Sequence, residues 1–254
     1  MDPNAGGKVQ PLALVACSSL VDLLAPQVAK LGRGNRLPTA LIQLLGSQMP
    51  AFQRTHEFEA RDEDGKLVVP EPVQEAIRTL LRWAGDDPDR EGLSDTPSRV
   101  GRAWREYCAG YEEDPGQHLR RTFSEVAGYD EVVLLRDIPF HSHCEHHLAP
   151  IVGTASIAYL PTDRVVGISK LARVLHGYAR RLQIQERLTA EVAQCVWENL
   201  NPLGVAVVIK AQHGCMTGRG VRTHGVDMVT SKVLGCFRND PSSRKEVLAL
   251  MGHG

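Results

Sequence analysis

From Val69 onward the apolar positions follow first a helical and then a strand-like period. Val73, Ile77, Leu80 and Leu81 recur at helical spacing behind Pro70 and Pro72, which suit a first helical turn, and Gly85-Asp86-Asp87-Pro88 ends the run. Asp95-Thr96-Pro97-Ser98 reads as a capping residue followed by a first-turn proline, so a second helix is expected with Val100, Trp104 and Tyr107 as its buried stripe. Strands follow. Glu131 to Ile138 is rich in Val, Leu and Ile, and Ile151 to Leu160 alternates small and apolar residues up to the turn signal Pro161-Thr162-Asp163. Ser169 to Leu182 and Glu186 to Leu200 return to helical spacing, with Leu171, Val174, Leu175 and Tyr178 inward on the first and Leu188, Val192, Val196 and Leu200 inward on the second. Val205 to Cys215 alternates again, Ser231 to Phe237 reads as a last strand, and Ser242 as the cap of a final helix. Helices, two strands, two helices, two strands and a helix make an α+β domain rather than a regular βαβ succession.

Residues 1 to about 68 lack this regularity. Their apolar residues between Leu12 and Leu45 are interrupted by Pro26, Gly32, Gly34 and Pro38, and Arg54 to Lys66 is polar and charged. The expected organisation is a poorly ordered extension over 1–68, with one or two short helices and no recognisable chemistry, ahead of a folded domain over 69–254. Leu14-Val15-Ala16-Cys17 looks superficially like a lipoprotein cleavage site, but the apolar stretch before it is too short. The scarcity of acidic residues up to position 50 faintly resembles a transit peptide, and a cytoplasmic location is the expectation.

Composition narrows the choice of partners. With 43% hydrophobic residues the chain can build a substantial core, and a net charge of −1 gives no global basic field for nucleic acid, so any anion site must be local. No apolar run approaches the length of a membrane span. Six widely separated cysteines do not form the dense spacing of a secreted disulfide scaffold; they fit a reducing compartment in which thiols are available to metal.

Two short clusters use that availability: Cys144-Glu145-His146-His147 and His213-Gly214-Cys215. Cys144 and His147, three apart, can face one point from a tight or helical turn, and His213 and Cys215, two apart in a strand-like run, share a face. The economical assignment is one zinc ion held by Cys144, His147 and Cys215, with a fourth position for water and with His146 and His213 beside the metal. A closed structural site, with His146 or His213 as fourth ligand, is the alternative; the spare imidazoles favour catalysis, because imidazole moves protons near pH 7. Cys108 and Cys195, each alone, read as packing residues.

Cations gather elsewhere along the chain. Ser169-Lys170-Leu171-Ala172-Arg173 opens a helix and sets Lys170 and Arg173 on one face near its positive end. Arg219 lies between Gly218 and Gly220, where backbone and guanidinium can both approach a ligand, and Arg99 follows the Thr96-Pro97-Ser98 cap. Several local cations on a near-neutral chain suit a polyphosphate. Gln185-Glu186 pairs a carboxamide with a carboxylate, which can read the edge of a purine or pterin; a helix cap at Glu186 is the plainer reading.

Four blocks, Ser142-His143-Cys144-Glu145-His146-His147, Val166 to Arg173, Gln183 to Thr189 and His213 to Val221, together resemble zinc-dependent GTP cyclohydrolase I, and Asp95 to Val100 resembles that family's N-terminal helical signature. The resemblance implies a tunnelling fold: an antiparallel four-stranded sheet with two helices on one face, preceded by a helical pair, assembled into a toroidal decamer of two pentamers. It implies conversion of GTP and water into 7,8-dihydroneopterin triphosphate and formate, with Zn2+ as cofactor, as the first step toward folate and related pterins. By matching position, Cys144, His147 and Cys215 are the zinc ligands, His146 the proton donor to purine N7, and His213 a second catalytic histidine near the ribose. Gln185 and Glu186 match the guanine-recognition pair, Ser169 the residue at the ribose and phosphate, and Lys170, Arg173, Arg219 and a neighbouring subunit's Arg99 the triphosphate grip. Residues 1–68 have no counterpart in the resemblance.

Two other readings compete. A deazaguanine reductase or a pterin synthase on the same fold would use a nucleophilic cysteine or a histidine-only zinc set, and Cys144 with His147 and Cys215 suits neither. A zinc-stabilised interaction module would close the site with four ligands and would need neither Gln185-Glu186 nor the cations.

Overall fold

The structure, a computed structural model, describes residues 60–63, 65–124 and 129–252. The readings made of residues 1–59 lie outside them. Helices α1 (Glu71–Trp83) and α2 (Thr96–Tyr107) come first. Each carries a proline in its first turn, where the missing N–H has no intrahelical partner to lose. Val69 seats its isopropyl group directly on Gly101 of α2, where even a methyl would come within 2.4 Å of Val69 Cγ1. The apolar stripes differ from expectation. Ile77 is buried, but Leu80, Val100 and Tyr107 are exposed, and Pro97 and Gly101 supply the buried positions of α2.

Strands β1 (Thr122–Phe123) and β4 (Val165–Val166) pair with each other as a small ribbon. The main sheet holds β2 (Val133–Cys144), β3 (Pro150–Leu160), β5 (Leu182–Gln183), β6 (Gly204–His213) and β7 (Met228–Gly235), in the order β5-β2-β3-β6-β7. Four of these strands, β2-β3-β6-β7, run antiparallel to their neighbours; β5, two residues long, adds a parallel fifth beside the end of β2. Strand β2 is longer than its apolar run suggests. It passes an irregularity between Leu135 and Ile138, with Asp137 at φ 54°, and continues through His141-Ser142-His143 to Cys144. Polar residues occupy that second half because only alternate positions face the core: Phe140, Ser142 and Cys144 are buried, while Pro139 and His141 are exposed.

Helices α3 (Ile168–Ala179) and α4 (Gln185–Leu200) cover one face of the sheet. Leu171, Val174, Leu175, Leu188, Val192 and Val196 meet Ile157, Tyr159, Val205, Val207 and Ile209 there, all fully buried. Each such side chain contributes on the order of 1.5–3 kcal/mol by leaving water. The strict alternation read in Val205 to Cys215 does not hold, because the other face is also covered. Ala158, Ala206 and Val208 pack under Phe237, Val247 and Met251, from and beside the short helix α6 (Cys236–Asn239) and α7 (Pro241–Leu250). The cap of α7 is Asp240, whose carboxylate accepts from the Ser242 and Ser243 N–H groups; Ser242 lies inside the helix.

The topology decides where chemistry gathers. Strands β2 and β6 flank β3 and both run opposite to it, so their C-terminal ends lie at the same edge, beside the start of β3. Ile151 faces Ser142 on one side and His213 on the other. Gly153 permits this close approach: a Cβ there would stand 2.1 Å from the Lys210 carbonyl oxygen. Helix α4 begins two residues after Gln183, which pairs with Cys144, so its N-terminus reaches the same edge.

Candidate active site

Cys144 ends β2 and is 6% exposed. Glu145-His146-His147 form the turn into β3, closed by Leu148 N–H donating to the Cys144 carbonyl at 2.8 Å and by Cys144 N–H donating to the Ala149 carbonyl at 2.8 Å. Leu148 takes φ 54° to complete the reversal. Cys215 is not on a strand. Strand β6 stops at His213, and Gly214–Thr217 forms one helical turn, α5, that swings the Cys215 sulfur back toward Cys144. Ligand atoms of Cys144, His147 and Cys215 all lie within 4.8 Å of one another. Among the described residues no further His, Cys, Asp or Glu joins this group.

The two histidines of the turn are not equivalent. Both Nδ1 atoms lie 3.8 Å from Cys144 Sγ, yet only His147 also comes close to Cys215. His146 keeps a largely exposed side chain, its ring edge-on to that of His147 at 6.3 Å between centroids. Burial pushes the Cys215 thiol up, the neighbouring Cys144 adds to this, and the Arg219 charge opposes it. Two sulfurs and an imidazole converging at this spacing suit a thiophilic divalent cation, which removes the repulsion between adjacent thiolates. Cys195, by contrast, lies on the buried face of α4, and burial pushes its thiol up to about 11, as befits an inert core sulfur.

His213 ends β6 with its Nε2 2.8 Å from Gln185 Oε1. Burial lowers the affinity of its imidazole for a second proton, and the Glu186 charge opposes that effect. The neighbours Gln185 and Glu186 part company at the first turn of α4. Glu186 is exposed, whereas Gln185 is 1% exposed and its carboxamide is wholly engaged with protein atoms. The amide expected to read a ligand edge is therefore committed within the fold, because the residue opening α4 is wedged between β6 and β7.

Of the cations, Arg219 is exposed in the loop after α5, close enough to Cys215 for its charge to act on that thiol. Ser169 and Arg173 are exposed and Lys170 half-buried in the first turns of α3, and no hydrogen bond among the described residues ties them to the cysteine–histidine cluster. Arg99, on α2, donates to Asp95 Oδ2 at 3.0 Å.

Two supporting groups had no assigned part in the sequence reading. Arg187 donates to Glu145 Oε2, to the Leu182 carbonyl and to Gln183 Oε1, lashing the turn that carries His146 and His147 to α4. Thr189 and Thr230 share a 2.6 Å hydroxyl contact beneath Gln185. Nothing in local spacing signals either, since the partners lie more than 40 residues apart.

A family model described as GTP cyclohydrolase I matches residues 73–252. The GTP cyclohydrolase 1 of Sinorhizobium fredii is 48% identical over 194 residues, 76% of this chain and 95% of that protein. A crystal structure of the archaeosine synthase QueF-Like in the apo form aligns with a TM-score of 0.35 and 21% identity, over 41% of this chain and 93% of that one, too loosely to carry weight. Among the described residues no helix is long and apolar enough to cross a membrane. A match across most of the chain, together with a relative nearly half identical along almost its whole length, makes this chain a member of the GTP cyclohydrolase I family, hydrolases that convert GTP to 7,8-dihydroneopterin triphosphate in pterin and folate biosynthesis.

Proposed function

We propose that the chain carries out this conversion at a zinc ion held by Cys144, His147 and Cys215. The observation that carries the reading is the convergence of those three ligand atoms within 4.8 Å from two distant segments. When bound, zinc supplies a Lewis acid that makes water nucleophilic near neutral pH.

The chain's own residues do the rest. His146, exposed beside the ligand group, protonates N7 of the purine and so makes C8 a better electrophile. Glu186, exposed at the start of α4, accepts the ring N–H groups of guanine, since an ionised carboxylate only accepts. His213 handles proton transfers at the ribose. Ser169 contacts the ribose and phosphate, and Lys170, Arg173 and Arg219 grip the triphosphate together with Arg99 of a neighbouring subunit. Ring opening and release of formate consume two waters, and closure of the rearranged ribose carbon onto the freed amine returns one. The net reaction is GTP and one water to 7,8-dihydroneopterin triphosphate and formate.

The antiparallel β2-β3-β6-β7 sheet with α3 and α4 on one face supports a tunnelling fold, with such sheets joined edge to edge in a toroidal decamer of two pentamers. Residues 69–254 form the catalytic domain and 1–68 an extension to it, in a cytoplasmic enzyme that needs neither nucleic acid nor membrane. Incubating the purified protein with GTP and zinc tests the reading. Formate and a fluorescent oxidised neopterin should appear, with about one zinc per chain by elemental analysis. A protein that binds zinc tightly yet releases no formate would sink it.

A further inference from the structure

Gln185 offers one acceptor oxygen and two N–H donors, and the fold uses all of them. Its two Nε2 protons are shared among three acceptors, the Ile209 carbonyl at 3.1 Å, the Met228 carbonyl at 2.9 Å and Thr230 Oγ1 at 3.1 Å. Its Oε1 faces His213 Nε2 at 2.8 Å. The carboxamide has one workable orientation. Turned over, its oxygen would confront two backbone carbonyls, acceptor against acceptor, in a buried position where each unmade bond costs the desolvation of the group.

The threonines add a direction to the network. Thr189 Oγ1 donates its single proton to the Gln185 carbonyl at 2.7 Å. The 2.6 Å contact between Thr189 and Thr230 must then be donated by Thr230, which leaves Thr230 Oγ1 to accept from Gln185 Nε2. Carboxamide, two hydroxyls and a backbone carbonyl close a ring in which each hydroxyl proton has one destination. With the amide so oriented, its oxygen can only accept from His213, so Nε2 of that imidazole carries the hydrogen.

We propose that Gln185 is a positioning residue for His213, holding the imidazole in place and in its Nε2–H form, with the lone pair on Nδ1. This rests on the reading of His213 as a catalytic histidine. It replaces a role for the Gln185 side chain in reading guanine with a role behind the reacting groups. Wrong-tautomer histidines lose catalysis while keeping their place, which is why an orienting partner affects turnover more than binding.

Gln185→Met keeps the side chain's length and removes the acceptor and both donors. Its kcat should fall about tenfold to a hundredfold, with the GTP KM within about twofold of the parent's and the zinc content unchanged. An unchanged kcat overturns the proposal. So does a joint loss of kcat, GTP affinity and zinc, which would mark Gln185 as scaffolding alone. If Gln185→Met does not fold, Thr230→Val decides: a fall in kcat of about threefold or more at constant KM supports the network, and an unaltered kcat overturns it. His213→Ala separates this inference from the reading beneath it. Full turnover in that variant means His213 is not catalytic, whereas a dead His213→Ala beside a fully active Gln185→Met means only the positioning role fails.

Discussion

Arg187 Nη2 lies 2.5 Å from Glu145 Oε2, joining the first turn of α4 to the turn between β2 and β3. Glu145 makes two further contacts: its other oxygen is 3.8 Å from His146 Nε2, and its backbone N–H donates to the Gln183 carbonyl at 3.0 Å. One guanidinium thus ties Cys144, His146 and His147 to the helix that carries Gln185 and Glu186. The two side chains of the pair are 40% and 33% exposed, so its worth lies in holding geometry more than in stability. Arg187→Met should therefore weaken zinc retention roughly tenfold in a chelator competition, since residues orienting metal ligands carry effects of that order. Retention equal to the parent's would show that the turn holds its shape without the clamp.

Cys215→Ser and His146→Ala separate ligand from proton donor. The first removes a soft sulfur from the group of three and should lose zinc and turnover together. The second removes an imidazole that does not come close to Cys215, so the zinc content should persist while turnover falls by about 10²–10⁴. Elemental analysis beside the formate assay reads both. Zinc lost equally from the two variants would reverse the division between His146 and His147.

Zinc binding should release protons and weaken as pH falls. Burial and the adjacent Cys144 raise the Cys215 thiol above its ordinary value, so without metal this sulfur keeps its proton to higher pH than a free cysteine. The metal takes the thiolate, so that proton must leave, and affinity declines about tenfold per pH unit for each proton displaced. Calorimetry in buffers of different ionisation enthalpy counts the released protons. A count of zero at pH 7 would mean that the thiols are already ionised without metal.

Deleting residues 1–65 should leave the specific activity within about twofold. The deletion keeps Val69, which is 5% exposed against Gly101, and every residue matched by the family model. An inactive but folded truncation would show that the first 65 residues contribute to the reaction.

Local signals in the chain are reliable where local physics governs. The turn Cys144 to His147 was legible because a metal motif and a tight reversal both need residues of particular type at short spacing. Helices α3 and α4 were legible because their buried stripes repeat every three or four residues, and Leu171 to Leu200 lie where the period puts them. The stripe of α2 was misread: Pro97 and Gly101 are buried and Tyr107 is exposed, because close approach to Val69 favours small residues over large ones. The second half of β2 was missed because polar residues on its open face hide a strand whose alternate positions are buried.

Amino-acid order was enough to name the family and to group Cys144, His147 and Cys215, since these depend on residue type and spacing within short segments. It could not say that Cys215 leaves the strand, or that Gln185 turns inward to His213 while Glu186 turns outward. Those outcomes come from β2 and β6 ending at one edge across β3, and from α4 starting beside them. Side chains distant along the chain acquire partners only when the sheet order brings their backbones within a few ångströms, and that order is set by burial of the whole core.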